Sequence, residues 1–253
     1  MKSPTGAREW SDHSYNLQVG CEHNCGYCFA KSMAIRFKRA TVDSWRHPVT
    51  TGRRISKHYA RSGVTMFPTT HDITMRNHEE CRTALLAMLA SGRRVLVVSK
   101  ANPDPLGCVL AGLSKSEFGG MIEVRVTIGS MDDSVLKAWE PGAPSFGSRM
   151  RALAWACSEG FNTSVSIEPF LDSDTVPLFH AVRPFVTQGV WIGRPNKLME
   201  RVRRNTGGNK QSLMMAEHLA MMAPGWASFI YAALRGHPDV RWKDSMRYLE
   251  GGK

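Results

Sequence analysis

Short apolar runs rich in β-branched residues alternate along the chain with stretches of helical periodicity. Runs at Tyr15 to Val19, Val64 to Phe67, Val95 to Val98, Ile122 to Ile128, Thr163 to Ile167 and Val190 to Ile192 predict six strands. Between them Cys81, Leu85, Met88 and Leu89 recur at three- and four-residue spacing, as do Met150, Leu153, Ala154 and Cys157, so each set predicts one buried helix face. Gly92 and Gly160 stand where those helices should stop before the next strand. Strand, helix and strand repeated in this order predict parallel strands joined by right-handed crossovers. Six such units predict an α/β fold, a partial (β/α)6 barrel of the TIM type over residues 1–193. After about Gly193 the alternation stops, and 194–253 reads as a helical extension packed on the barrel. Its methionines at 214, 215, 221 and 222 are expected to pack a helix.

Bulk properties narrow the class. A chain of 253 residues with 42% hydrophobic and 22% charged residues suits one soluble domain with a sizeable core. It has no apolar run long enough to span a bilayer and no apolar segment of the secretory kind near residue 1, so a cytoplasmic location is expected. In a reducing compartment six cysteines point to metal binding or catalysis before disulfides.

The net charge of +11 changes the picture because it is clustered. Between Lys31 and Arg61 there are nine Lys/Arg, among them Arg36, Lys38, Arg39, Arg53, Arg54 and Lys57, and one acid, Asp43. Segment 31–61 therefore reads as a basic, substrate-facing insertion. A second cluster holds Arg194, Lys197, Arg201, Arg203 and Arg204. Phe37, Trp45, Tyr59, Asn196 and Asn205 are interleaved with these charges, which suits a polyanion held by phosphate contacts and stacking. A solvated basic face is the plainer alternative.

The segment VGCEHNCGYCFAK, residues 19 to 31, follows the first predicted strand, at the end where parallel α/β folds collect their chemistry. Cys21, Cys25 and Cys28 have the spacing C-x3-C-x2-C. A structural zinc site wants four ligands, and the candidate fourth within the loop, His23, is only two residues from Cys21. Cys81 and Cys157 lie on apolar helix faces, and Cys108 stands alone. The count favours three protein ligands, the number that holds a [4Fe-4S] cluster while leaving one iron open.

These residues, with Tyr27 before the last cysteine, resemble the signature of the radical S-adenosylmethionine (SAM) enzymes. The resemblance extends to the spore photoproduct lyase branch through TTHDIT, LVVSK, VRVTIGS, WEPGAPSFGSRMRAL and SIEPF, and it does not cover 194–253. It implies a cluster on Cys21, Cys25 and Cys28, SAM as cofactor, and a 5'-deoxyadenosyl radical that abstracts hydrogen from the substrate. It further implies an electron donor such as flavodoxin or ferredoxin. Matched position by position, Lys100 corresponds to a lysine on the SAM carboxylate, Thr127 and Ser130 to hydroxyls near the methionyl part, and Glu140 to a loop beside SAM. Composition alone would make these a strand-end lysine, strand and turn hydroxyls, and a turn.

His71 stands where that branch has a SAM-contacting serine, and its role is open between ligand, acid/base group and loop filler. Thr69 replaces a cysteine that returns a hydrogen atom to the product radical, which a hydroxyl cannot do because its O–H bond is too strong. The radical must then end otherwise, unless Cys81 or Cys108 reaches the site. Glu168, at a strand end, either faces a polar substrate group or pairs with an arginine.

Together these features imply a radical SAM enzyme of isomerase or lyase type that modifies a thymine-type base in DNA. The best fit is the virus-encoded kind that moves an amino-acid substituent on the thymine 5-methyl group from nitrogen to carbon linkage. The alternatives are a DNA photolesion repair lyase, an RNA- or tRNA-modifying enzyme, and a zinc-containing nucleic-acid-binding protein without catalysis.

Overall fold

The computed structural model describes residues 5–52 and 63–250. After a short 3-10 turn (Gly6–Glu9), strand β1 (His13–Ser14) is followed by β2 (Gln18–Val19), the cysteine loop and helix α1 (Phe29–Arg36). Strand β3 (Val49–Thr50) then folds back antiparallel on β2. From there the alternation is regular: β4 (Val64–Phe67), α2 (His78–Ala90), β5 (Arg94–Ser99), α3 (Pro103–Leu110), β6 (Ile122–Thr127), α4 (Asp133–Trp139) and α5 (Phe146–Ser158). It continues with β7 (Asn162–Ile167), α6 (Thr175–Val182), β8 (Gly189–Ile192), α7 (Leu198–Asn205), α8 (Lys210–Leu234) and β9 (Val240–Trp242).

Seven strands form one sheet in the order β1-β4-β5-β6-β7-β8-β9, every pairing parallel. Spatial order thus follows chain order, the arrangement of a barrel wall with β1 and β9 as its edges. The two faces differ in chemistry. On β6, Ile122, Val124 and Val126 are buried in the apolar core, while Glu123 and Arg125 face the other way and bond Ser164 of the neighbouring strand. Strands covered on both faces usually read as unbroken apolar runs. On β6 the inner face is polar, and the alternation there has period two.

Gly92 and Gly160 close α2 and α5 with φ of +80° and +86°, a region costly for residues with a Cβ. Four expectations need correcting. The first strand is not continuous over Tyr15 to Val19: it begins at His13 and breaks, because Asn16 Oδ1 accepts from Thr69 N and Thr70 N in place of a backbone ladder. The buried face of α5 is Arg149, Ala152, Leu153 and Ala156, one residue before the face read from Met150, Ala154 and Cys157. In α8, Met214, Met221 and Met222 face outward and are exposed, and of the four only Met215 is partly buried against the core. Finally, Val240–Trp242 adds a seventh strand within the region read as helical.

The open side between β1 and β9 is tied by charge. Glu9 Oε1 lies 2.7 Å from Lys243 Nζ and Glu9 Oε2 lies 2.5 Å from Arg247 Nη2, while Lys243 Nζ also donates to Gly6 O at 2.8 Å. These bonds bring the Trp10 indole against Trp191, ring centroids 6.0 Å apart, with the Arg125 guanidinium over it at 4.8 Å.

Candidate active site

The cysteine loop is shaped by its neighbours as much as by its own residues. Gly20 enters it at φ +106°, where a Cβ would stand 2.7 Å from Trp45 O, so glycine is required there. Cys21 N then donates to Trp45 O at 2.8 Å, and Gly26 N to Trp139 O at 2.8 Å. Cys28 caps α1, its sulfur accepting from Lys31 N at 3.3 Å. Lys31 is buried with its ammonium on Asn24 Oδ1 at 2.7 Å. From the far end of the chain, the buried Asn205 donates its amide to both Gly26 O and Cys28 O at 2.9 Å.

Cys21, Cys25 and Cys28 line one cavity of about 270 Å³ at the carboxyl ends of the strands. With them are Pro68 to Asp72 after β4, Val98 to Lys100 at the end of β5, Thr127 at the end of β6, and Glu168 and Pro169 after β7. The thiols sense one another's charge. Burial first, then Asp72 and Cys28, pushes Cys21 up to about 12. Burial also raises Cys25 well above its ordinary value, against the pull of Lys100.

Among the described residues no three His, Cys, Asp or Glu side chains converge closely enough to hold a single metal ion. A four-iron cube takes one thiolate per iron, so its ligands need not meet at a point. Three thiols on one loop, with burial raising Cys21 and Cys25, suit a multi-metal cationic group that would compensate thiolate charge.

Behind the loop lies a buried network. The Tyr27 hydroxyl donates to Glu140 Oε1, Arg149 Nη2 stands 2.5 Å from Glu140 Oε2, and Lys100 Nζ is 3.7 Å from Glu140 Oε1. Burial favours the neutral acid at Glu140, but Lys100, Arg149 and Tyr27 outweigh it and hold the carboxyl below its ordinary range. Burial likewise opposes charge on Lys100, yet Glu140, Tyr27 and Cys25 raise its pKa well above the usual value. Lys100 is therefore a fixed cation at the cavity wall, 5.6 Å above the Tyr27 ring. Asp72 accepts from Ser99 Oγ at 2.5 Å and Lys100 N at 2.8 Å, with His23 Nδ1 3.2 Å away in a contact too poorly aligned to be a hydrogen bond. Burial acts to raise Asp72, but His23, Lys100 and Ser99 keep it well below the carboxylate range.

The structure brings most candidate positions to this cavity. Thr69, His71, Thr127 and Glu168 line it with Tyr27, Lys100 and the three cysteines. Thr69 Oγ1 accepts from Asn16 Nδ2 at 2.6 Å. Both nitrogens of His71 face backbone, Nε2 accepting from Leu17 N at 3.1 Å and Nδ1 lying 3.1 Å from Asp72 O. Glu168 meets Lys243 Nζ at 3.5 Å, and burial raises its carboxyl. Two positions lie behind the wall: Ser130 accepts from Asp132 N in a turn, and Glu140 has both oxygens engaged. Cys81 is buried against Asn77 and Cys108 lines a separate surface hollow, so neither is in the cavity lining.

Sequence reasoning missed Asp72, Arg149 and Asn205 as supports and Trp10 as a cavity residue. Arg149 was hidden by the helix face read one residue too late. The others are joined only by long-range contacts.

The basic positions separate by environment. Arg36 and Arg39 flank the exposed Phe37 ring at 5.7 and 5.8 Å, with Lys38 exposed between them. Arg201 lies 5.2 Å over the exposed Phe29 ring, and Arg194 lies 4.8 Å over Tyr248. Lys197 and Arg203 are exposed. Arg204 is held by Ser32 and Glu200. Arg53, Arg54 and Lys57 lie outside the described residues.

A mutant spore photoproduct lyase with bound AdoMet and dinucleoside spore photoproduct matches with a TM-score of 0.57 at 14% identity, covering 89% of this chain and 74% of that one. The chain has the radical SAM, spore-photoproduct-lyase-like fold. A second lyase mutant, with dinucleoside spore photoproduct, matches at 0.53 and 13% identity over 90% of this chain and 75% of that one. SuiB of Streptococcus suis bound to S-adenosylmethionine matches at 0.54 and 9% identity, covering 94% of this chain and 51% of SuiB. No protein-family model matches the chain, and no curated protein matches its sequence.

Proposed function

We propose that this protein is a radical SAM enzyme that rearranges a substituent on a thymine-type base in DNA, with a [4Fe-4S] cluster held by Cys21, Cys25 and Cys28. The observation that carries the reading is the placement of these three thiols on one cavity at the carboxyl end of a parallel barrel wall. When bound, the cluster and SAM supply a hydrogen-abstracting radical under one-electron reduction. The chain's own residues hold and orient. Lys100, a fixed cation, is suited to a carboxylate of the cofactor. Asp72 and His23 anchor the loop after β4 against the cysteine loop. Trp10, Met66 and Phe29 give the cavity an apolar, aromatic wall that favours a planar base and excludes water.

Support for DNA comes from the Phe37, Phe29 and Tyr248 rings, each exposed and carrying an arginine, on a chain of net charge +11. A base leaving the duplex needs such stacking and phosphate contacts. Support for a rearrangement over repair comes from the cavity lining: apart from the three cysteines it contains no thiol, and Thr69 offers a hydroxyl. Without a thiol to return hydrogen, this chain offers no donor of its own, which would suit a reaction in which the cofactor supplies and recovers the hydrogen.

Anaerobic reconstitution tests the reading. About four iron per chain and a brown protein are expected, both lost in Cys21→Ala, Cys25→Ala or Cys28→Ala together with turnover. A panel of plain and modified DNA oligonucleotides, read by nucleoside mass spectrometry, identifies the base. One 5'-deoxyadenosine released per product would exclude recycling. A colourless protein carrying zinc would overturn the cluster itself.

A further inference from the structure

Three of the buried cations are each paired with a carboxylate: Arg125 with Glu123, Arg149 with Glu140, and Lys243 with Glu9. Lys31 differs. It is 2% exposed, and among the described residues no carboxylate lies within ion-pair distance of its ammonium, whose one hydrogen-bond acceptor is Asn24 Oδ1 at 2.7 Å. An ammonium has three N–H groups and no way to accept, so one neutral acceptor leaves most of its charge uncompensated. Its place in the chain adds to the imbalance. Lys31 stands in the first turn of α1, which holds no acid, so its charge is added to the positive end of the helix dipole. A buried cation in such surroundings is costly unless a negative charge comes close to it.

The cysteine loop can supply that charge. Asn24 lies between Cys21 and Cys25 in the chain, at φ +50°, and its bond to Lys31 Nζ turns the lysine side chain back from α1 onto the loop. Ionised Cys28 attracts the ammonium most, then Cys25, and both act more strongly than Asp43, while Arg46 opposes them. Ligands in the cavities do not reach it. Lys31 is outside the lining of the cysteine cavity and outside that of an adjoining cavity of about 170 Å³, which Arg194 and Arg201 line. Whatever enters those spaces meets other cations, and Lys31 is left to the thiolates.

We propose that Lys31 is the buried counter-charge of the metal cluster, its ammonium offsetting the thiolate charge of Cys28 and Cys25 and raising the cluster's reduction potential. The assignment rests on the reading that Cys21, Cys25 and Cys28 hold a [4Fe-4S] cluster. Each ligating thiolate adds a negative charge, and the electron that reduces the cluster adds another. A fixed cation therefore stabilises the reduced form more than the oxidised one, and burial keeps water and salt from screening it. The bond from Lys31 N to the Cys28 sulfur at 3.3 Å acts in the same sense. With Lys31 charged, a one-electron donor of less negative potential suffices to reduce the cluster.

The test is a potentiometric titration of the reconstituted full chain with dithionite, the reduced cluster being read by electron paramagnetic resonance, in the parent, Lys31→Gln and Lys31→Arg. Glutamine keeps an N–H donor without the charge, and arginine keeps the charge. At the parent's midpoint potential, Lys31→Gln is expected to show a ratio of reduced to oxidised cluster about ten-fold lower, which for one electron is a shift of about 59 mV to more negative potential. Lys31→Arg should stay close to the parent. Iron content and the thermal unfolding midpoint are measured on the same samples. A parent-like ratio in Lys31→Gln at full iron content overturns the counter-charge alone, and so does an equal fall in Lys31→Arg, because the contact and not its charge would then matter. If Lys31→Gln takes up less iron while Lys31→Arg takes up the parent's amount, the charge is needed to hold the cluster, and the assignment stands. Equal loss of iron from both variants makes Lys31 a support of the fold and overturns it. A parent that takes up no iron fails the cluster reading itself, and the assignment fails with it.

Discussion

The two walls of the cavity use charge in opposite ways. On the cysteine side, Lys100, Glu140, Arg149 and Tyr27 close on one another, and Asp72 is saturated by Ser99, Lys100 and its own neighbours. On the far side, Arg201, which lines this cavity, and Arg194, which lines the adjoining one, rest on rings, and Glu168 and Asp244 lack a guanidinium partner among the described residues. A network that neutralises itself can fix geometry before anything binds. A wall with available charges and rings is one whose partners arrive with the ligand. The same composition, basic residues near aromatics, thus serves scaffolding on one side and recognition on the other.

The comparison breaks most visibly at Arg149. Arg149→Met leaves Glu140 buried with Lys100 at 3.7 Å and Tyr27, and loss of one member of such a pair costs ~3–5 kcal/mol. In a chain of this size that corresponds to a drop of about 10 °C in the unfolding midpoint. Pairing it with Glu140→Gln should recover a substantial share, since the uncompensated charge goes too. If Arg149→Met costs no more than a surface substitution, the cysteine-side wall is not the self-contained network described here.

Asn205 sharpens the contrast from the other end of the chain. Its amide N–H groups satisfy Gly26 O and Cys28 O, so Asn205→Ala leaves two carbonyls without partners, a cost of ~2 kcal/mol. Asn205→Asp should be worse than Asn205→Ala, because a carboxylate would face both carbonyls. Both variants are expected to lose iron to a chelator faster than the parent, since the loop between Cys25 and Cys28 is what the amide holds. Chelator kinetics and urea midpoints on the same samples check this. Parent-like kinetics in a destabilised Asn205→Asp protein would mean that the amide supports the fold without supporting the loop.

These supports explain what was readable beforehand. C-x3-C-x2-C is a local pattern, and so are the strand runs from β4 to β8, whose period-two or continuous apolar character needs no partner to be seen. The strands legible in the chain are also those whose ends carry the cavity. What escaped depends on distant residues. Asn16 breaks the first strand by bonding the loop after β4, the Glu9 and Lys243 pair closes the barrel across nearly the whole chain, and Asn205 reaches back to the cysteines. β9 is three residues long and follows a 25-residue helix, so its apolar signal is brief and its pairing with β8 is set only by tertiary packing. Residues 194–253, read as an addition to the barrel, supply Arg201, Arg194 and Asn205 to the site and a strand to the sheet.

The smallest expected effect is a pH slope at the joint between the walls, where His71 sits. Its Nε2 accepts from Leu17 N, so the ring must be neutral with its proton on Nδ1, directed to Asp72 O. Burial lowers its pKa from the ordinary 6.5. With the folded value depressed, the unfolded chain binds the proton more readily as pH falls through 6.5, so His71 makes the fold lose stability in that direction and contributes no slope well above 6.5. Asp72, with a depressed carboxyl, acts in the same sense but only in the acid carboxylate range and below it. Glu168, with a raised carboxyl, acts in the opposite sense above the ordinary carboxylate value, and it does so equally in a variant that retains it. Urea midpoints at about pH 7.5 and 5.5 should therefore fall further in the parent than in His71→Gln, which keeps a hydrogen-bonding side chain and does not titrate. Identical slopes would show that His71 takes up its proton as readily in the folded protein as in the unfolded chain, so that the Leu17 bond adds nothing to stability and the strand break leading into the cysteine loop owes its geometry to Asn16.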